Sequence, residues 1–287
     1  MALEGVYIPL VTPFKNGSID LVSYKKMIQH YMTKGIAGFI PLATTGESPT
    51  IEEDEYFAIV DATFDIVGDK LPIYFGASGN DTAKVIKLVH KLEKHGAKGI
   101  LSSGPYYNRP DQRGIFEHFS KIAESSSLDI IIYNIPYRTA RNIENDTIRR
   151  LAEIRNIIGI KDSCGDIKQT SELLIDPPSD FSILTGEDAL FFSTLALGGK
   201  GGILASAHIS TDVFVSVYNN MKDNNHSSAL EKWKPLSRII PLLFGEPNPA
   251  PIKYCLAKLN LIASSETRLP LMEITDELKK ALDKALK

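Results

Sequence analysis

Short apolar runs alternate with longer amphipathic stretches along most of the chain. The runs are rich in Ile, Val, Leu and Phe without strict polar alternation, which indicates strands buried on both faces of a parallel sheet. The amphipathic stretches between them have helical periodicity, although the one after Lys161 is interrupted by Pro177 and Pro178. Eight runs are predicted as strands: 6–11, 38–42, 72–75, 99–102, 129–133, 157–161, 181–184 and 202–205.

The number of strand–helix units decides between two architectures. A doubly wound open sheet shows the same alternation, but roughly eight units within about 220–250 residues match a closed (β/α)8 TIM barrel. Beyond about Thr211 the strand signals stop and the remaining chain is predicted to be helical. The sequence therefore predicts an α/β barrel catalytic domain over residues 1–224, followed by a small C-terminal helical appendage over residues 225–287.

Composition narrows the class of protein without naming a function. The 287 residues are 43% apolar and carry a net charge of -3, so there is no electrostatic reason to expect nucleic acid or a membrane surface as partner. Cys164 and Cys255 are the only cysteines and lie far apart without a metal or redox spacing, which is typical of a reducing compartment. The first residues have no basic start or long apolar run, so we predict a cytoplasmic protein.

Reactive groups of such barrels lie at the carboxyl ends of the strands and in the loops that follow them. This position selects a short set of polar residues: Thr44, Thr45, Glu47, Ser48, Ser78, Asn80, Tyr106, Tyr107, Tyr133, Arg138, Lys161, Asp162, Gly186, Glu187, Ser206 and His208. The six histidines are scattered without ligand spacing at a strand end, so neither a metal site nor a cofactor is predicted. The glycine cluster at 198–202 precedes the eighth strand and lacks phosphate-loop spacing, so we reject it as a phosphate site.

Lys161 is the most informative of these residues. It ends a strand of Ile, Ile, Gly and Ile, where poor solvation lowers the pKa of an amine and makes it a nucleophile toward carbonyls. The alternative is a lysine that extends to water or pairs with Asp162. Tyr133 ends the preceding strand and could carry protons, or it could be an aromatic core residue.

Two further positions suit anionic substrates. The loop of Thr44 and Thr45 offers hydroxyls and amides that could bind a carboxylate, although the same groups also cap helices. Arg138 could hold a second carboxylate through a bidentate pair, or it could be an ordinary surface arginine.

Together these residues resemble the dihydrodipicolinate synthase / N-acetylneuraminate lyase family of class I aldolases. The similarity runs from the Pro-Leu-Val-Thr-Pro-Phe string at 9–14 to Arg-Leu-Pro-Leu at 268–271. Five motifs carry it in combination: Thr-Thr-Gly-Glu-Ser at 44–48, Gly-Pro-Tyr-Tyr-Asn at 104–108, Tyr-Asn-Ile-Pro at 133–136, Ile-Lys-Asp-Ser at 160–163 and Glu-Pro-Asn-Pro at 246–249.

The resemblance implies a Schiff-base reaction. Lys161 is expected to capture pyruvate as an imine, and Tyr133, Thr44 and Tyr107 to form a proton relay, with Tyr107 supplied by a neighbouring subunit. The best fit is to members that condense pyruvate with L-aspartate 4-semialdehyde in lysine and diaminopimelate biosynthesis. Such enzymes are commonly homotetramers, built as a dimer of dimers.

The resemblance also implies the substrate contacts. Thr45 and the backbone at Gly186 and Ile203 are expected to seat pyruvate, and Arg138 to bind the carboxylate of the small aldehyde acid. A metal-free aldolase needs a proton carrier and separate sites for two anions, and this set supplies both.

Three departures from the family pattern stand out. Ala43 replaces a usual glycine, and Leu-Ala-Ser-Ala-His at 204–208 differs from the usual Ser-Val-Thr. Allosteric lysine-binding positions are implied at Ser48, Asn80 and Tyr106, but Lys84 stands where lysine-inhibited members carry glutamate. Because like charges repel, we predict weak or absent inhibition by lysine.

Two alternatives remain open at this stage. Another pyruvate-dependent lyase would cleave a sialic acid or a 2-keto-3-deoxy sugar acid, whereas Arg138 favours a small aldehyde acid. A non-catalytic binding barrel would have no need of the lysine, tyrosine and threonine set.

Overall fold

The computed structural model describes residues 3–286, so the outer ends of the two predicted domains, residues 1 and 287, lie outside the described part. The strands of this part are β1 (Gly5–Ile8), β2 (Phe14–Lys15), β3 (Ser18–Ile19), β4 (Gly38–Phe39), β5 (Tyr74–Gly76), β6 (Gly99–Ser103), β7 (Asp129–Asn134), β8 (Ile157–Asp162), β9 (Ser182–Thr185) and β10 (Gly201–Ile203).

Helices occupy most of the connections. They are α1 (Leu21–Met32), α2 (Glu53–Val67), α3 (Thr82–Lys94), α4 (Gln112–Glu124), α5 (Pro136–Thr139), α6 (Asn145–Ala152), α7 (Ile167–Ile175), α8 (Phe191–Ala196), α9 (Thr211–Lys222), α10 (His226–Leu243), α11 (Ala250–Lys258) and α12 (Asp276–Ala285). Four short 3-10 turns lie at Thr44–Gly46, Ser48–Thr50, Asp188–Leu190 and Ala205–His208.

The described chain divides into two compact units. The first comprises residues 3–5 and 73–203, and in it β5 to β10 pair side by side in chain order, all parallel. The second comprises residues 6–72 and 204–286, and in it β1 pairs in parallel with β4 through Tyr7 and Gly38. In the second unit the Leu204 N–H also donates to the Tyr7 carbonyl over 3.0 Å.

Eight parallel strands alternate with helices in the order that defines the (β/α)8 barrel, and α10 to α12 follow. The predicted fold class is therefore confirmed. The predicted domain boundary at 224/225 falls between α9 and α10 and stays a prediction.

Local capping chemistry fixes where the helices begin. The side chain of Asp20 accepts the Ser23 N–H over 3.0 Å at the start of α1, and the Asp81 side chain accepts the Ala83 and Lys84 N–H groups at the start of α3. Helix α2 begins with a reciprocal capping box between Glu52 and Glu55. Each of these helices follows a loop that leaves the carboxyl end of a strand, so the caps also define the ends of those loops.

Several strands are shorter than the apolar runs that predicted them. The first run continues to residue 11, but β1 ends at Ile8 because Pro9 has no N–H to donate and the Val11 N–H is taken by a side chain, His208. Leu10 and Val11 are nonetheless buried, which explains the apolar pattern. The antiparallel hairpin of β2 and β3 was absent from the predicted strands, since two residues per strand are too few for a periodicity signal.

Candidate active site

Strand β8 carries Lys161 at its carboxyl end. The parallel register pairs Lys161 with Tyr133 of β7 on one side and with Leu184 of β9 on the other. The preceding residues Ile157 and Ile160 are buried, and Lys161 itself is only 5% exposed. An apolar strand therefore holds a lysine in a place where water reaches it poorly.

Burial lowers the pKa of Lys161 to about 8, and the positive charge of Arg138 acts in the same direction. The carboxylates of Asp188 and Glu187 oppose this shift. The Nζ atom lies 4.2 Å from the centre of the Tyr133 ring. At pH 7 a pKa of about 8 leaves roughly one amine in ten uncharged, against about one in three thousand for an ordinary lysine.

Tyr133 supplies a phenol beside this amine. Burial raises its pKa well above the ordinary value for tyrosine, while Arg138 and the Ser163 hydroxyl act in the opposite direction. The phenol therefore keeps its proton at physiological pH and can donate it to an oxygen that develops negative charge.

Gly186 gives the lysine arm its space. A methyl group at this position would lie 2.4 Å from Lys161 Cε, 2.4 Å from Ser163 Oγ and 2.7 Å from Lys161 Cγ. The Gly186 N–H donates to the Asp162 carbonyl over 2.7 Å, which fixes its backbone beside β8. Only a residue without Cβ allows the lysine arm to run along this backbone.

A buried polar network anchors the end of β8. The Asp162 carboxylate accepts the Thr170 hydroxyl over 2.6 Å and the Cys164 N–H over 3.1 Å. Burial raises the pKa of the Cys164 thiol to about 11. Cys164 is half-buried and hydrogen-bonded to Asp162 and Thr170, so its thiol stays protonated and unreactive.

The second unit contains the predicted threonines, adjacent on the 3-10 turn Thr44–Gly46. Thr45 is buried and Thr44 half-buried. The Asn248 amide donates to Thr45 Oγ1 over 3.0 Å, which leaves the proton of that hydroxyl available for another acceptor. The Thr12 hydroxyl holds the turn by donating to the Gly46 carbonyl over 2.7 Å.

The other residues that were predicted to bind substrate or carry protons differ in exposure. Ile203 is buried in β10, whereas Arg138 is exposed on α5, with its guanidinium 5.3 Å from the centre of the Tyr137 ring. Tyr107 is 89% exposed and has a left-handed backbone, with φ 70°. The first unit thus brings Lys161, Tyr133 and Arg138 into one electrostatic environment.

The implied lysine-binding residues lie in loops and at a helix start. Ser48 is half-buried on the 3-10 turn Ser48–Thr50, and Tyr106 is exposed. Asn80 and Lys84 are exposed around the start of α3, where the Asn80 carbonyl accepts the Asn108 amide over 2.9 Å.

His208, selected at the strand end, has a structural role. Its Nε2 accepts the Val11 N–H over 3.3 Å, so Nδ1 carries the proton and donates to the Ala205 carbonyl over 2.8 Å. Burial lowers its pKa to about 4, which keeps the ring neutral.

Across residues 3–286, His, Cys, Asp and Glu side chains form no group of three or more suited to a metal ion. Within the same described stretch, none of the helices combines the length and apolarity that a membrane span requires.

A family model described as the Dihydrodipicolinate synthetase family matches residues 2–287. The chain belongs to this family. It is 61% identical over 286 residues to "4-hydroxy-tetrahydrodipicolinate synthase 2" of Clostridium acetobutylicum, with 100% of both chains covered.

Solved structures of the family superpose closely. The dihydrodipicolinate synthase of Thermotoga maritima gives a TM-score of 0.96 at 36% identity, covering 100% of this chain and 98% of that one. The Acinetobacter baumannii enzyme, complexed with pyruvate, gives 0.96 at 31% identity over 99% and 98%. The family resemblance inferred from the motifs is confirmed.

Sequence reasoning did not single out four residues that contact or influence the predicted ones within their own unit. Ser163 and Asp188 act on the charges of Tyr133 and Lys161, Tyr137 packs on Arg138, and Asn248 binds Thr45. Three of them are sequence neighbours of residues that were selected because they lie at strand ends, and Asn248 lies inside the 246–249 motif. Proximity to a strand end was thus the available signal for three, and the motif for the fourth.

Proposed function

We propose that this chain is a 4-hydroxy-tetrahydrodipicolinate synthase, a lyase that condenses pyruvate with L-aspartate 4-semialdehyde in lysine and diaminopimelate biosynthesis. The observation that carries the proposal is Lys161, a buried amine with a pKa of about 8 beside a protonated Tyr133. The similarity to named synthases over the full chain supports the choice of substrates.

The first half of the reaction uses the neutral Lys161 amine. It attacks the keto carbon of pyruvate, and the resulting carbinolamine loses water as its oxygen takes a proton from Tyr133. The phenolate left at Tyr133 then takes a proton from the pyruvate methyl group, which converts the iminium into an enamine and restores the phenol. Asp188 and Glu187 favour the cationic iminium through their negative charge.

The second half forms the new carbon–carbon bond. The enamine carbon attacks the aldehyde carbon, and the alkoxide takes a proton from the relay of Tyr133, Thr44 and Tyr107. The amino group of the second substrate then attacks the iminium carbon, closes the ring and releases Lys161. No redox step or metal is required by this sequence.

Substrate binding is assigned to two separate places. The Thr45 hydroxyl and the backbone at Gly186 and Ile203 seat pyruvate, and Arg138 pairs with the carboxylate of the aldehyde acid. Arg138→Gln is expected to raise KM for L-aspartate 4-semialdehyde and to leave KM for pyruvate unchanged. Arg113→Gln, on the exposed face of α4, is the matched control.

The decisive assay compares substrates. Purified enzyme is supplied with pyruvate and L-aspartate 4-semialdehyde, and in parallel with sialic acid and 2-keto-3-deoxy sugar acids. Turnover of the first pair supports the proposal, and turnover of the sugar acids alone contradicts it.

A cytoplasmic homotetramer, built as a dimer of dimers with Tyr107 shared between subunits, completes the proposal. The exposed, left-handed Tyr107 supports it, because a side chain so far from its own core suits a partner's site. Mixed Tyr107→Phe and Lys161→Ala subunits test the sharing. Hybrids regain activity if Tyr107 acts across the interface, and stay inactive if it acts within its own subunit.

A further inference from the structure

A fully buried ion pair between Glu47 and Lys253 adjoins the 3-10 turn Thr44–Gly46, named the threonine turn. Glu47 follows the turn Thr44–Gly46 and has a left-handed backbone, with φ 55°, which is unusual for a residue with a side chain. Its carboxylate accepts Lys253 Nζ over 2.5 Å, and both side chains are 0% exposed.

Both carboxylate oxygens of Glu47 and the ammonium group of Lys253 have hydrogen-bond partners. The second carboxylate oxygen of Glu47 accepts the backbone N–H of Arg268 over 3.0 Å. Lys253 Nζ also donates to the Glu266 carbonyl over 2.7 Å and lies 4.1 Å from the centre of the Phe14 ring. The pair therefore joins the threonine turn, helix α11 and the segment around residues 266–268.

Stability alone does not account for such a pair. Desolvating two charges offsets much of their attraction, and apolar side chains of similar volume often stabilise a protein as well or better. A buried pair does, however, impose one geometry, because each partner is strongly destabilised when the other moves away. The question is then which geometry is imposed.

The segment that leads into helix α11 makes a second contact with the same turn. Asn248 lies two residues before α11 and donates its amide to Thr45 Oγ1 over 3.0 Å, while Lys253 lies within α11. The turn is thus held at two points, by Asn248 at Thr45 and by Lys253 at Glu47, the residue that follows the turn. The Asn248 bond also directs the Thr45 proton away from Asn248.

We propose that the Glu47–Lys253 ion pair and Asn248 are positioning residues, which hold the Thr45 hydroxyl so that it donates to the carboxylate of the 2-oxo acid. This inference rests on the proposed function, in which Thr45 seats pyruvate. It adds three residues that never touch substrate and act only through the turn.

The test measures pyruvate binding separately from chemistry. Asn248→Ala, Glu47→Gln and Lys253→Met are each expected to raise the pyruvate concentration for half-maximal borohydride trapping at Lys161 by about tenfold, equivalent to ~1.4 kcal/mol. The KM for the aldehyde acid is expected to stay within about twofold. Asn248→Ala keeps the test open if a charge variant fails to fold.

Glu55→Gln is the matched control. Glu55 pairs with Arg268 over 2.5 Å in a partly exposed bridge, and its carboxylate accepts from the Arg268 side chain and from the Glu52 N–H. This variant is expected to lower Tm without changing pyruvate half-saturation. If half-saturation instead follows Tm across all variants, Glu55→Gln included, the effect is on general stability and the proposal is wrong.

A double variant separates positioning from stability. Glu47→Gln with Lys253→Met is expected to recover Tm relative to Lys253→Met, because no unpaired buried charge remains, while pyruvate half-saturation stays raised. Recovery of both would contradict the proposal. Failure of the wild-type enzyme to trap pyruvate would overturn the proposed function, whereas normal trapping with unchanged half-saturation in the variants overturns only this inference.

Discussion

Gly186→Ala offers a direct test of how the lysine arm is positioned. The added methyl group would lie 2.4 Å from Lys161 Cε, where carbon atoms ordinarily approach no closer than about 3.5 Å. The glycine does not have a left-handed backbone, so alanine fits the local chain and the flexible lysine arm gives way. A displacement of the order of 1 Å at a reacting atom costs about 100-fold in rate.

The assay is single-turnover trapping of pyruvate with borohydride, with Tm measured on the same samples. We expect Gly186→Ala to slow trapping by about 100-fold while remaining folded. Gly245→Ala is the control, since its methyl group would meet nothing closer than 3.5 Å and it too lacks a left-handed backbone. Trapping by Gly186→Ala at the wild-type rate would refute the reasoning that this glycine makes room for the lysine.

Three further predictions follow from the charges of the site. Because only the neutral amine attacks, the trapping rate of Lys161 should rise about tenfold per pH unit below pH 8 and level off above it; a rise continuing to pH 10 would indicate an ordinary lysine. Tyr133→Phe should lower kcat by about 100-fold or more, since the proton donor is lost, and a kcat near wild type would exclude that role. L-lysine should inhibit weakly in a steady-state assay, and Lys84→Glu should strengthen the inhibition; potent inhibition of the wild type would contradict the charge argument.

The sequence was sufficient to predict the fold class and the environment of Lys161. A strand buried on both faces must be apolar throughout, so a lysine at its end stands out against the preceding isoleucines. Tyr133 was predictable for the same reason, and the parallel register places it directly beside Lys161.

Contacts between residues that are far apart in the sequence leave no apolar pattern from which they could be predicted. Glu47 and Lys253 are 206 residues apart, and each alone resembles a solvated surface charge until the fold buries both. The space that Gly186 leaves for Lys161 was equally invisible, because it depends on where another strand places its side chain. The β2–β3 hairpin was missed because each of its strands has two residues, a single period of strand alternation, which is too short to form a pattern.

The proposed chemistry depends on one step, the formation of an imine between Lys161 and pyruvate. Borohydride reduction in the presence of pyruvate, followed by peptide mass analysis, tests it most directly. We expect a mass gain of one reduced pyruvate on the peptide that contains Lys161, and no such gain in Lys161→Ala. An unmodified Lys161, or modification of a different lysine, would contradict it.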